Sequence, residues 1–168
     1  MITLINHIDQ IIDSSTIKKP FIFLDCEGRE LGARNGKLAL IQIGIGEAIY
    51  LVDVIIFSEA VPMLKKYLED PNLLKYVWDG RSDYSELRHG HGITLQGLVD
   101  LQLVYIYATG NAPSSGIAIR LTGLTDAAEN LNAMTKVQLS QIRSCISCPH
   151  NRVSDYRPGR CERCSSAQ

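Results

Sequence analysis

The stretch FIFLDCEG, residues 21–28, begins with four apolar residues and continues with two carboxylates, Asp25 and Glu27. Side chains at positions i and i+2 of a strand project from the same face. Asp25 and Glu27 are therefore predicted to project together, with Cys26 turned to the opposite face. Two neighbouring carboxylates repel each other, and divalent cations such as Mg²⁺ or Mn²⁺ offset that repulsion. The stretch predicts a buried strand that ends in a metal-site candidate. The alternative is a solvated pair of acids that merely ends the strand.

The composition is that of one globular domain. The chain has 168 residues, 45% of them hydrophobic and 21% charged, with a net charge of −1. This balance excludes a strong overall basic field, so nucleic-acid binding must rest on a local patch or on metal ions. No apolar run approaches the ~20 residues of a membrane span, and residues 1–15 lack the features of a signal peptide. We therefore expect an intracellular protein, cytoplasmic or nuclear, with no membrane partner.

The apolar patterning predicts nine elements in the order α-β-β-β-α-β-α-β-α. They are an amphipathic helix in 1–15, strands at 21–26, 38–44 and 48–54, a helix at 58–70 with Ser58 as its N-cap, a strand at 73–79, a helix at 81–90, a strand or extended segment in 93–100 and a helix at 101–110. An antiparallel meander followed by alternating helices and strands indicates a mixed sheet with helices on its faces. Residues 117–142 have a weaker helical pattern.

A second acid cluster follows another buried-looking strand. Asp79 and Asp83 lie in KYVWDGRSDYSELRHGHGI, residues 75–93. A carboxylate in a first helical turn is often explained by the helix dipole alone. If the two strands are neighbours, however, Asp83 faces Asp25 and Glu27. Three acids at one end of a mixed sheet match two-metal phosphodiester chemistry.

Three segments together resemble a known family. FLDCEG (23–28), WDGRSDYSEL (78–87) and GITLQGLVDLQLVY (92–105) resemble the ribonuclease D/Werner-type 3′–5′ exonuclease domain of the DEDD superfamily, and its eukaryotic 3′–5′ exonuclease domain-containing branch in particular. The resemblance implies a ribonuclease H-like α/β fold: a five-stranded mixed sheet, its first three strands antiparallel, with helices on both faces. It also implies an exonuclease-like domain over 1–135, with its core at 18–109. The remaining residues, 136–168, lie outside the resemblance, and their composition indicates a divergent tail rich in Cys and Arg.

The resemblance implies metal-dependent hydrolysis of the terminal phosphodiester bond at the 3′ end of RNA or single-stranded DNA. Asp25 and Glu27 match the first family motif and Asp83 the second, so these three acids are the expected catalytic residues and ligands of two divalent cations, Mg or Mn. Glu27 is also expected to orient the attacking water. Asp79 is expected to have a supporting or structural role.

Other residues near these motifs are candidates for substrate binding. Gly28 would let the terminal nucleotide approach the backbone closely. Asp100 matches an acid common in this branch and is expected to support or orient the substrate. Basic residues flank both motifs and are candidates for phosphate contacts, with plain surface charge as the alternative: Arg29, Arg34, Lys37, Arg81, Arg88, His89 and His91.

The last acidic motif of the family is not identifiable. His150 and Asp155 have the His-x₄-Asp spacing of one version of that motif, but Pro149 and the absence of an apolar helical face argue against the expected helix. Losing one metal-binding carboxylate would weaken binding of one metal and impair turnover. A catalytically impaired nucleic-acid-binding or scaffold module is therefore the alternative function.

The tail contains two CxxC pairs, Cys145/Cys148 and Cys161/Cys164, separated by 12 residues. Four thiolates can close a tetrahedral zinc site, and so small a unit would depend on the metal to fold. The alternative is a disordered or divergent terminus that replaces the last helices of the family.

Overall fold

The computed structural model describes residues 1–7, 10, 12, 17–110, 121–135 and 137–140. The chain divides into two compact units, residues 1–119 and 120–168. In the described part, the strands are β1 (Ile2–Ile5), β2 (Phe21–Arg29), β3 (Lys37–Ile45), β4 (Ala48–Asp53), β5 (Leu74–Val77) and β6 (Leu98–Asp100). The helices are α1 (Ala60–Leu68), α2 (Arg81–His91) and α3 (Leu101–Ala108) in the first unit, and α4 (Leu124–Asn130) in the second.

The strands form one mixed sheet in the order β1-β4-β3-β2-β5-β6. Strands β2, β3 and β4 form the antiparallel meander that the sequence predicts. Strand β5 is parallel to both β2 and β6. The predicted mixed α/β class is confirmed, but the sheet formed by the described residues has six strands and not five.

The sixth strand is the chain start, where the prediction of an amphipathic helix is wrong for residues 2–5. Strand β1 pairs in parallel with β4, with Ile2 opposite Ile49 and Ile5 opposite Val52. A short helix is marginal by itself, whereas the open edge of β4 offers backbone hydrogen-bond partners along one side of this segment, which is rich in β-branched residues. Burial of Ile5, which is fully covered, adds to the preference for the strand.

Strand alternation separates a buried face of the sheet from an exposed one. In β2, Ile22, Leu24 and Cys26 are buried, while Asp25 and Glu27 on the other face are exposed. The buried apolar residues of α1 and α2 belong to the same cluster as those of β2: Ala60, Val61, Leu64, Leu68 and Leu87. The carboxylates are therefore kept out of the core by the two-residue period of the strand.

The helices differ from the sequence prediction in where they begin and end. Helix α1 has Glu59 as its N-cap residue, and Ser58 donates its hydroxyl to the Glu59 carboxylate at 3.3 Å, so Ser58 is not the N-cap. In the predicted 117–142 helix, the described helical residues are Leu124–Asn130 and 137–140. Within the described ranges, none of the helices has the length and apolarity to cross a membrane.

Candidate active site

The site lies where β2 extends beyond β5. The two strands pair in parallel from Phe21 to Phe23, and β5 ends at Val77. Asp25 and Glu27 therefore continue past the end of β5, at the edge where the chain turns through residues 78–80 into α2. Because the carboxyl ends of parallel strands meet at one edge of a sheet, this is the expected place for a ligand.

Asp25 is held by a neighbour on the adjacent strand. Gln42 lies opposite Asp25 in β3 and donates its side-chain amide to the Asp25 carboxylate at 2.8 Å. Burial of the carboxyl group raises the pKa of Asp25, and a hydrogen bond from the Cys26 backbone N–H partly offsets that rise. Gln42 thus orients a carboxylate whose charged form is disfavoured by its surroundings.

Asp83 comes to the same edge from the first turn of α2. Its side chain is buried, with an exposed fraction of 5%. Burial, followed by the negative charge of Asp25, raises the pKa of Asp83 to about 7, and Glu27 and Asp79 act in the same direction. The Cys26 backbone N–H hydrogen-bonds to Asp83 and acts against this rise in its pKa. Asp83 is therefore within electrostatic reach of both acids of the first motif, as the sequence hypothesis requires.

Glu27 completes the cluster, and we call Asp25, Glu27 and Asp83 the acid edge. Burial and the charge of Asp25 raise the pKa of Glu27. All the donors are carboxylate oxygens with unfavourable mutual charge, and this donor type fits a hard divalent cation. In the described ranges, however, no group of three or more His, Cys, Asp or Glu side chains is placed to hold one metal ion.

Asp100 fastens the turn that leads into α2. Its carboxylate accepts hydrogen bonds from the backbone N–H groups of Asp79 and Gly80, each at 3.2 Å. It also caps α3 by accepting from the Gln102 N–H at 2.9 Å. Asp100 therefore supports the position of α2 through the main chain. Arg81, predicted to bind substrate, is exposed and donates to the Asp79 carboxylate at 3.0 Å.

Close packing against the backbone of Lys37 explains why residue 28 is a glycine, and this contact could not be predicted from the sequence. The β2–β3 register shifts between Glu27 and Gly28, and the backbone of Lys37 comes close. A Cβ at Gly28 would overlap the Lys37 carbonyl oxygen and lie 2.9 Å from Leu31 Cδ2. Any side chain here would displace the strand end that carries the acids. The nearby Arg29, Arg34 and Lys37 are exposed.

Several predicted residues lie elsewhere or outside the described residues. His89 and His91 are at the far end of α2, in its last turn. The residues of the proposed late motif and of the zinc site lie outside the described ranges: His150, Asp155, Cys145, Cys148, Cys161 and Cys164.

Sequence reasoning missed three polar residues with structural importance. Gln42 is the one polar residue between Leu38 and Ile45 of β3, which was a usable signal. Glu86 is buried on α2, three residues after Asp83, and reads from the sequence as an ordinary surface residue. Lys75 lies on the core side of β5, fully buried, and donates to the Asp70 carbonyl at 2.6 Å.

Comparison with known proteins identifies the family. A 3′–5′ exonuclease family profile matches residues 5–149. The piRNA biogenesis protein EXD1 of Xenopus laevis is 34% identical over 76 residues, which are 44% of this chain and 17% of EXD1.

Solved structures of ribonuclease D share the fold. The complex of Trypanosoma brucei RNase D with RNA U12 has a TM-score of 0.65 and 23% identity, over 86% of this chain and 49% of the other. Escherichia coli RNase D, an exoribonuclease involved in structured RNA processing, has a TM-score of 0.61 and 25% identity, over 91% of this chain and 36% of the other. The chain thus spans half or less of these relatives, and the ribonuclease H-like class predicted from the motifs is confirmed. Since the profile covers most of its length, the chain belongs to the 3′–5′ exonuclease family.

Proposed function

We propose that this protein is a metal-dependent exonuclease that removes nucleotides from the 3′ end of single-stranded RNA or DNA. The observation that carries the proposal is the convergence of Asp25, Glu27 and Asp83 at one edge of the sheet. The charge of Asp25 raises the pKa of both other acids, so the three carboxylates act on one another. Such mutual repulsion has no structural benefit and is typical of sites that gather charge for chemistry.

The residues have distinct roles in this proposal. Asp25, Glu27 and Asp83 would hold two Mg²⁺ or Mn²⁺ ions, and such ions, when bound, would lower the pKa of the attacking water and offset the charge that develops on the leaving oxygen. Gln42 keeps the Asp25 carboxylate oriented. The Cys26 backbone N–H hydrogen-bonds to both Asp25 and Asp83 and opposes the rise that burial causes in the pKa of each.

The substrate side of the proposal rests on the exposed surroundings of the acid edge. Arg29, Arg34 and Lys37 follow the first motif and are available to a phosphate backbone, and Arg81 flanks the second. The structural relatives include RNase D bound to RNA, which makes single-stranded RNA the first substrate to test. Binding of this kind is sequence-independent and falls with rising salt.

The test is a cleavage time course with a 5′-labelled single-stranded RNA and its DNA equivalent, in Mn²⁺ and in Mg²⁺. The variants are Asp25→Asn and Asp83→Asn, with Glu47→Gln as a matched control that removes one exposed carboxylate from the β3–β4 turn at the other end of β3. We expect a ladder that shortens from the 3′ end with wild type and control and is lost in both site variants. A ladder that survives in Asp25→Asn would contradict the assignment.

A binding module without turnover is the second candidate function. The observation that favours it is that, among the described residues, no three acid, histidine or cysteine side chains are placed for one metal ion. This candidate predicts that wild type binds a labelled strand, measured by fluorescence anisotropy, and leaves it intact even in excess Mn²⁺. Turnover that disappears in Asp83→Asn would exclude it.

A further inference from the structure

Glu86 is a buried carboxylate that the proposed chemistry does not use. It lies on α2 with an exposed fraction of 5%, one helical turn after Asp83. A buried charge is costly unless it is paired or hydrogen-bonded. Glu86 accepts a hydrogen bond from the backbone N–H of Gly32 at 3.2 Å, and its other oxygen lies 4.0 Å from His91 Nε2. Its main partner therefore belongs to a different element, 54 residues earlier in the chain.

That element is the loop of residues 30–36, which joins β2 to β3 directly after the first acid motif. The loop folds on itself, because Ala33 donates to the Glu30 carbonyl at 3.0 Å and Gly36 donates to the Ala33 carbonyl at 2.9 Å. Ser85 of α2 donates its hydroxyl to the Gly32 carbonyl at 3.1 Å. Both backbone polar groups of Gly32 are thus bonded to α2, one to Glu86 and one to Ser85.

The loop and the helix approach each other without spare room. A Cβ at Gly36 would lie 2.5 Å from Glu86 Oε2 and 2.6 Å from the Glu30 carbonyl oxygen. A Cβ at Gly32, where φ is +76°, would lie 3.2 Å from the Ser82 Cα. Since a short glycine-rich loop loses much conformational freedom when it is fixed, the bonds to α2 are needed to hold it in one position.

We propose that Glu86 is a positioning residue that ties the 30–36 loop to α2 and so presents the exposed Arg34 to the phosphate backbone of a single-stranded substrate at the acid edge. The proposal rests on the proposed function. One helix then carries both Asp83 and the tether of the loop that follows Asp25 and Glu27. The position of this substrate-facing cation relative to α2 is therefore set by the contact between Glu86 and Gly32.

The test compares Glu86→Ala with Glu86→Gln, because a glutamine oxygen can still accept from the Gly32 N–H. Arg34→Ala reports on the cation, and Glu47→Ala is the surface control. Amide hydrogen exchange of residues 30–36 reports the tether. Steady-state cleavage of a labelled RNA reports KM and kcat separately. If the wild type does not cleave the RNA, the Kd of the same RNA, measured by fluorescence anisotropy, replaces KM.

We expect Glu86→Ala to raise exchange in the loop and to raise KM or Kd about tenfold with kcat within about threefold. Glu86→Gln should restore both to within about threefold of wild type, and Arg34→Ala should raise KM without changing exchange. Unchanged exchange in Glu86→Ala would overturn the tether, and faster exchange with unchanged KM or Kd would overturn its link to substrate. A wild type that neither binds nor cleaves a strand would overturn the proposed function and that link together, while the exchange result still decides the tether.

Discussion

Asp83 and Lys75 are both buried titratable residues, with exposed fractions of 5% and 0%. They differ in whether the neighbouring charges have the same sign as the buried group or the opposite sign. Every charge acting on Asp83 is negative and raises its pKa further: Asp25, Glu27 and Asp79. Burial lowers the pKa of Lys75 to about 8, but here the neighbouring Asp70 has the opposite charge and works against the shift. Lys75 also donates to the Asp70 carbonyl at 2.6 Å.

The difference is the one expected between a buried charge with a structural role and a buried charge with the proposed role in chemistry. The fold gives Lys75 a partner and reduces the cost of burying it. At the acid edge it gathers like charges, and the hydrogen bond from the Cys26 N–H recovers only part of the cost. An arrangement that lowers stability in this way is expected where charge is needed for binding or chemistry.

The largest expected effect is the loss of catalysis when one acid-edge carboxylate is neutralised. Asp25→Asn keeps the shape of the side chain and the contact with Gln42 but removes the charge that is proposed to bind metal, so we expect kcat/KM for single-stranded RNA to fall more than about a hundredfold. The measurement is single-turnover cleavage in Mn²⁺, with Glu47→Gln as control. A loss below about tenfold would mean that Asp25 is not a metal ligand.

Asp83→Asn should abolish cleavage and at the same time stabilise the metal-free protein. The pKa of Asp83 is about 7 when folded and 3.8 for an ordinary Asp, so the folded state holds more protons between these values. Stability therefore falls as pH rises from about 4 to about 7, and the cost is fully present above pH 7. We expect Asp83→Asn to raise the free energy of unfolding by on the order of 2 kcal/mol at pH 7.5 and to leave it unchanged near pH 4.

Urea unfolding of the metal-free protein from pH 4 to pH 8 measures this gain. A gain that is equal at both ends of the range would show that Asp83 does not titrate as described. Because a protonated Asp83 is a poor metal ligand, we expect Mn²⁺ to bind more tightly as pH rises through about 7, so cleavage at sub-saturating Mn²⁺ should rise over the same range.

Lys75→Met should raise the free energy of unfolding by less than Asp83→Asn does, and this gain should fall as pH rises. The folded pKa of about 8 lies below the ordinary 10.5, so the unfolded state holds more protons between these values and stability rises with pH across that window. We expect Lys75→Met to stabilise by about 1–2 kcal/mol at pH 7, because the desolvation cost outweighs one hydrogen bond, and the gain should vanish near pH 10.5. Urea unfolding of the wild type and of Lys75→Met from pH 7 to pH 10.5 measures this gain. A Lys75→Met variant that is less stable than the wild type at pH 7 would show that the hydrogen bond outweighs the desolvation cost.

Asp100→Ala should have the smallest effect, about 1 kcal/mol of stability, because it removes the α3 cap and the contacts to the turn before α2. Since that turn positions α2, kcat should fall modestly while KM for RNA stays close to wild type. Thermal unfolding and steady-state kinetics measure the two effects. A rise in KM without a change in stability would instead indicate direct contact between Asp100 and substrate.

Much of the site could be predicted because its parts are local in sequence. Alternation in β2 places Asp25 and Glu27 on one face whatever the rest of the chain does. Gln42 could have been identified as their partner only with the β2–β3 register, and Lys75 only with the knowledge that β5 has its odd-numbered residues in the core. The helix expected at the chain start is wrong over residues 2–5 for the same reason, since the spacing of isoleucines fits a helix until the free edge of β4 is considered.

The sequence by itself determined the family, the acids and the faces from which they project, because side-chain direction in a strand follows from a two-residue period. Only the tertiary structure decided that β1 completes the sheet, that Asp83 is buried beside Asp25, and that Glu86 holds the loop at Gly32. These features depend on pairing between segments that are distant in the chain. Burial and the charges that meet there set the pKa of each group, and neither quantity is encoded in any one segment.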